Sequence, residues 1–152
     1  MIRLARPEEW PLLASIEEAA AELFRGTAMD FVLHLPRPEA RPPSAVPPGV
    51  SVWVACPTSD RPVGFLEAER MGGWLHVLEL SVHPEAQRHG HGRALMEAAV
   101  AHAGQCGLER VSLTTDRELP WNGPAYARMG FRELAAPEQP AWLAAILRRE
   151  AT

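Results

Sequence analysis

The sequence predicts a mixed α/β domain in which helices pack on a central sheet containing at least one parallel βαβ crossover. Three observations carry this. Short β-rich runs alternate with segments of helical period along the chain. Two of those runs, 50–56 and 63–69, flank a P-T-S-D-R-P turn and read as a hairpin. A third, 74–82, feeds a glycine-punctuated turn, a helix and a further strand, which is the order of a parallel crossover. With 152 residues the chain has the length of one domain, taken as 1–152, and can bury a core without disulfide staples.

The elements follow in order. Residues 2–5 alternate apolar and polar and stop at Pro7, as a first strand does. From Glu8 to about Phe24, Leu12, Leu13, Ile16, Ala19, Ala20 and Leu23 recur at helical steps, with Glu9, Glu17, Glu18 and Glu22 on the wet side. A weaker apolar run at 31–35 follows Gly26. Residues 36–48 hold six of the 15 prolines and no period, so they predict an irregular surface loop, either a tolerated insertion or a wall of a binding site. After the hairpin, 74–82 is apolar enough for a central strand and ends at Pro84. A helix is expected from near Gly92 to Gly104 or Gly107, a buried strand over 111–115, a short helix over 122–129 capped by Gly130, and a strand starting at 131–134.

Composition excludes several chemistries. All 15 basic residues are arginine, which removes Schiff-base lysine catalysis and any phosphate loop ending in Gly-Lys-Ser/Thr. The net charge of −4 and the scattered arginines argue against nucleic-acid binding. Cys56 and Cys106 lie in no CxxC pattern and read as small buried residues in a reducing, cytoplasmic setting. No stretch approaches the ~18 apolar residues that cross a bilayer, and acidic residues come too early for a signal peptide.

The most informative segment is E-L-S-V-H-P-E-A-Q-R-H-G-H-G-R-A-L-M-E-A at 79–98. A strand, a glycine turn and a helix start in succession make an anion site, because the first helical amides lack internal partners and the dipole is positive there. Gly90 and Gly92 permit close backbone approach, and Arg88 and Arg93 add fork-shaped cationic donors. A dinucleotide fingerprint would need G-x-G-x-x-G, which this turn lacks.

The Q-x-x-G-x-G spacing after L-S-V-x-P resembles motif A of the GNAT superfamily of N-acetyltransferases. L-P-W-N-G-P-A-Y-A-R-M-G-F at 119–131 is similar to the same superfamily's motif B, and it holds the chain's single asparagine, Asn122, and single tyrosine, Tyr126. The resemblance spans Ile2 to Leu134. It implies a mostly antiparallel GNAT-like sheet, acetyl-CoA as co-substrate, and direct transfer of its acetyl group to a primary amine of a small molecule or peptide. The alternative is a regulatory module that keeps the fold and binds acyl-CoA without turnover.

Residue by residue, the resemblance assigns Gln87, Arg88, His89, Gly90, His91, Gly92 and Arg93 to the pyrophosphate. Leu80, Ser81 and Val82 fall to the pantetheine arm, with the Val82 N–H as oxyanion donor. Asn122 and Ala125 complete the coenzyme contacts, and Tyr126 becomes the acid toward the departing thiolate. An amine of pKa ~10 must lose a proton at pH 7, and Glu79 is the candidate base through water, with an ion pair or a solvated position as its alternative. By strand alternation Glu79 shares a face with Val77 and Ser81 unless a bulge shifts the register.

Other signals are weaker. His76, His83, His89 and His91 do not set a four-ligand metal geometry, and no metal is expected. Trp10, Trp53, Trp74, Trp121 and Trp142 read as core anchors, with Trp53 or Trp74 as acceptor-pocket candidates. No G-x-S-x-G supports a serine hydrolase. The superfamily adds a last strand after 131–134, whereas residues 141–150 here have helical composition, and we expect a helix. A missing strand would leave a sheet edge that a partner subunit could cover, so a homodimer is compatible with the sequence, although no residue demonstrates it.

Overall fold

The computed structural model describes residues 1–21, 48–114, 126–132 and 134–151. The run 31–35, nearly all of the proline-rich loop at 36–48, Thr115, Trp121, Asn122 and Ala125 lie outside the described residues. Five strands form one sheet in sequential order: β1 (Ile2–Leu4), β2 (Val50–Ala55), β3 (Gly64–Met71), β4 (Trp74–Val82) and β5 (Arg110–Ser112). The first three pairings are antiparallel, and β4–β5 is parallel, joined by α2 (His91–Gln105). The mixed, mostly antiparallel sheet with a single parallel crossover matches the expected fold class.

Two cores follow from the period-two pattern of the strands. On one face, Leu66, Ala68, Leu75 and Val77 meet Leu95, Met96, Ala99 and Ala103 of α2. On the other, Val52, Val54, Cys56 and Phe65 meet Leu13 and Ile16 of α1 (Trp10–Ala21). The N-terminus is tied across the hairpin turn: Arg3 donates to both Glu9 carboxylate oxygens at 2.9 and 2.7 Å and to Asp60 at 3.0 Å.

Helix ends obey local chemistry. Gly107, not Gly104, closes α2: its φ is +70°, it donates to Gly104 O, and Leu108 donates to Ala103 O at 2.9 Å. Gly130, at φ +95°, closes the helical turn at 126–128 in the same way, with Phe131 donating to Tyr126 O at 3.1 Å. A third helix, α3 (Ala141–Ala151), occupies the segment that the superfamily pattern gives to a last strand.

Three expectations are corrected. β5 ends at Ser112 rather than continuing through Thr114, and Phe131, Arg132 and Leu134 form no strand. Gln139 Nε2 donates to Leu134 O at 3.0 Å, and a 3₁₀ turn at Ala136–Glu138 follows directly, with Pro137 inside it. The carbonyl that a sheet ladder would use is therefore already occupied. Cys106 is also not a core residue; it is half-buried, with Arg70 Nη2 donating to its sulfur at 2.9 Å.

Candidate active site

The site begins with a bulge in β4. Glu67 pairs with Glu79 but Ala68 pairs with Val77, so Leu78 is the extra residue. The expected common face for Val77, Glu79 and Ser81 is thereby broken. Val77 points into the α2-side core, while Glu79 and Ser81 lie on the α1 side opposite Glu67 and Phe65. Ser81 Oγ donates to Glu79 Oε1 at 2.6 Å.

Beyond the bulge β4 has no β5 partner among the described residues, where the parallel ladder covers Trp74, Leu75 and His76. His83 donates to Val63 O on the β3 side, and main-chain groups alternate along an antiparallel ladder. Those of Leu80 and Val82 consequently turn to the open edge. Gln87 Nε2 reaches Val82 O there at 3.0 Å and ties the turn to the strand.

The turn then aims a helix start at this edge. His83 Nδ1 accepts the Glu85 N–H and caps the 3₁₀ turn Pro84–Ala86. Arg88 adopts φ +67°, a left-handed conformation costing a non-glycine residue about 1–2 kcal/mol. Gly90 follows at φ +81°, ψ +8° as the N-cap of α2, and no side chain caps that helix. The Ala94 N–H is the first to return to Gly90 O, which leaves those of His91, Gly92 and Arg93 without a helix-internal partner. A Cβ on Gly92 would meet nothing nearer than Val82 Cγ2 at 4.0 Å, so packing within the chain does not demand glycine there. The His89 and His91 rings stand 6.2 Å apart beside the turn, and Arg93 pairs with Glu97 at 3.3 Å.

The two titratable candidates are electrostatically linked. Burial pushes the Glu79 carboxyl up to about 7; the charges of Glu17 and Glu67 act in the same direction, and the Ser81 hydrogen bond opposes them. Burial also raises the Tyr126 phenol above its ordinary value, with the Glu79 charge adding to it. Tyr126 packs against the α2-side core and sits edge-on to Phe131 at 6.1 Å. The structure thus brings together Glu79, Ser81, the open β4 edge, the 87–93 turn and Tyr126.

Sequence reasoning missed one buried polar pair. His76 Nδ1 and Ser112 Oγ lie 2.9 Å apart, paired in register across β4 and β5. The only signal is a polar residue inside each apolar strand. Trp53 is a core residue edge-on to His102, whereas Trp74 borders a cavity.

A bulged strand with an edge unpaired among the described residues, a glycine turn and an uncapped helix start on that edge make up the candidate site of this α/β domain. Residues 13–131 match the model of the acetyltransferase (GNAT) family, and the chain belongs to that family. Among solved structures, a GNAT-family acetyltransferase from Staphylococcus aureus Mu50 superposes with a TM-score of 0.74 at 14% identity, over 93% of this chain and 89% of that one. The PaiA N-acetyltransferase of Thermoplasma acidophilum, in complex with coenzyme A, gives 0.71 at 18% identity, over 91% and 93%. The ribosomal-protein-S18-alanine N-acetyltransferase of Escherichia coli gives 0.68 at 18%, over 89% and 79%. These likenesses establish the fold.

Proposed function

We propose that this chain is a single-domain N-acetyltransferase that moves the acetyl group of acetyl-CoA directly onto a primary amine, in a cytoplasmic setting. The observation that carries the reading is the convergence of the His91, Gly92 and Arg93 amides and the free β4 edge on one gap. The first set suits a diphosphate, with Arg88 and Arg93 as neighbouring cations, and the second an extended amide-bearing arm. Acetyl-CoA supplies the thioester that is cleaved. Gln87 holds the turn to β4, and Asn122 and Ala125 extend the coenzyme contacts.

Glu79 accepts the amine's proton through water, and a carboxyl near 7 is well matched to that work at neutral pH. The nitrogen attacks the thioester carbonyl carbon, and the charge gathering on its oxygen is met by the Val82 N–H. As the C–S bond breaks, Tyr126 donates to the sulfur. Its raised pKa keeps the phenol protonated throughout the working range, which makes a strong hydrogen bond the economical description of its role. Full proton transfer follows only where the same dry surroundings raise the thiol as well.

The test is a coenzyme titration followed by turnover. Coenzyme A at a hundred times its Kd should stabilise the fold by about 2.7 kcal/mol. Acetyl-CoA with an amine panel should release free thiol. Stabilisation without thiol release would favour a regulatory module, and neither would overturn the assignment.

A further inference from the structure

A cavity of about 450 Å³, the size of a small-molecule site, runs along the outer edge of β5, where Phe131, Arg132 and Leu134 add no strand. Trp74, Arg110, Ser112, Tyr126, Phe131 and Leu143 are among its walls. Its polar side chains are Arg110, Arg132, Ser112 and Tyr126, and of the two arginines Arg132 already pairs with Glu138 at 3.1 Å. The Arg110 guanidinium lies over the Trp74 ring at 5.2 Å from the centroid, a cation–π contact that holds its planar fork in place. Among the described residues Arg110 has no carboxylate partner. Ser112 is 9% exposed and His76, behind it, 2%. When His76 Nδ1 donates to Ser112 Oγ, the hydroxyl hydrogen is free for an acceptor inside the cavity.

A fixed guanidinium, a buried hydroxyl donor and apolar walls of Phe131 and Leu143 suit a carboxylate on an apolar body. The face matches as well. Trp74 and His76 lie on the side of β4 that carries Glu79, since the β3 partners of Trp74, His76 and Glu79 are Met71, Glu69 and Glu67, each two residues from the next, and Ser112 bonds to His76 on that side. Tyr126 belongs both to this cavity and to the acetyl-transfer site.

We propose that this cavity takes the acceptor, and that the acceptor is an amine bearing a carboxylate on an apolar body, its carboxylate held between Arg110 and Ser112. The inference rests on the acetyl-transfer reading, and the experiment separates the two. The probes are 4-(aminomethyl)benzoate and 4-(aminomethyl)benzamide, equal in shape and differing by one charge. In thiol-release assays the carboxylate should show a KM at least tenfold below that of the amide. The exposed-residue change Arg110→Gln should raise the carboxylate's KM tenfold or more, toward the amide's value. Equal KM for the two probes, or an equal shift of both in Arg110→Gln, would overturn the proposal. Calorimetric titration of 4-(aminomethyl)benzoate reads the cavity without turnover. Saturable binding that is lost in Arg110→Gln supports it, even for a protein that binds no coenzyme. Absent carboxylate binding beside normal coenzyme binding rejects the cavity and leaves acetyl transfer standing.

Discussion

Replacing Glu79 with glutamine should raise stability and abolish most activity, with a pH dependence that follows from the carboxyl's surroundings. Burial, reinforced by Glu17 and Glu67, lifts this carboxyl from an ordinary 4.5 to about 7 in the folded chain, and the phenol of Tyr126 faces the same charge. A group whose pKa is raised on folding favours the fold fully below the unfolded pKa, and that contribution is lost as pH rises through the folded one. The gap from 4.5 to about 7, at about 1.4 kcal/mol per pH unit, amounts to about 3 kcal/mol. Glutamine stays neutral and its amide oxygen can still accept the Ser81 hydroxyl. Glu79→Gln should therefore gain on the wild type by about 2–3 kcal/mol between pH 5 and pH 8.5. Urea unfolding of both proteins at the two pH values measures this directly. In turnover, the wild-type kcat/KM should rise with pH to a plateau with a midpoint near 7, because the base must be ionised. The variant should lose that limb and about 10²–10⁴-fold in rate. A stability difference that does not vary with pH would refute the buried-carboxyl argument. A fully active variant that retains the limb would refute the base.

Two further expectations use the same kind of contrast. Gly72→Ala and Gly73→Ala both put a side chain at positive φ, +56° and +82°, costing about 1–2 kcal/mol each. Only the first places a Cβ 2.6 Å from Trp142 Nε1, so it should lose about 1–3 kcal/mol more by displacing Trp142 from Trp74 and His76; equal Tm losses would show that α3 is not anchored there. Tyr126→Phe should lower kcat by about 10²-fold and leave the coenzyme Kd within about twofold, since the ring and its contact with Phe131 persist. An undiminished kcat across the amine panel would remove Tyr126 from the reaction.

What was legible in the sequence was local. The 74–82 strand shows itself through Leu75, Val77 and Leu80, which pack on the α2 side, and the turn at 87–92 shows itself through its glycines just after Pro84 whatever surrounds it. The helix at 141–151 was readable from composition for the same reason. What was not legible depends on distant partners. The bulge at Leu78 appears only once β3 is laid against β4, and without it period-two reasoning sends Glu79 to the wrong face. Residues 131–134 have strand-like composition, but Gln139 takes the Leu134 carbonyl from eight positions beyond Phe131, a competition no propensity anticipates. His76 and Ser112 are 36 residues apart and become a pair only through the parallel register.

The bulge also bears on where the two proposed catalytic groups stand. The extra residue at Leu78 shifts the β3–β4 register just past the last β5 partner, His76, and the main-chain groups of Leu80 and Val82 beyond it face an edge with no neighbouring strand among the described residues. Main-chain donors in such a position need partners, and the uncapped start of α2 adds three more on the same gap. The register shift simultaneously turns Glu79 toward the α1 side, while Tyr126 stays packed with the α2-side core. A nucleophile and a leaving group must occupy different sides of the carbonyl carbon they exchange. With Glu79 proposed as the base and Tyr126 as the acid, two separate groups serve those two sides. Deleting Leu78 would make Val77 and Glu79 consecutive residues opposite Ala68 and Glu67, which removes the bulge and keeps Glu79 on the α1 side.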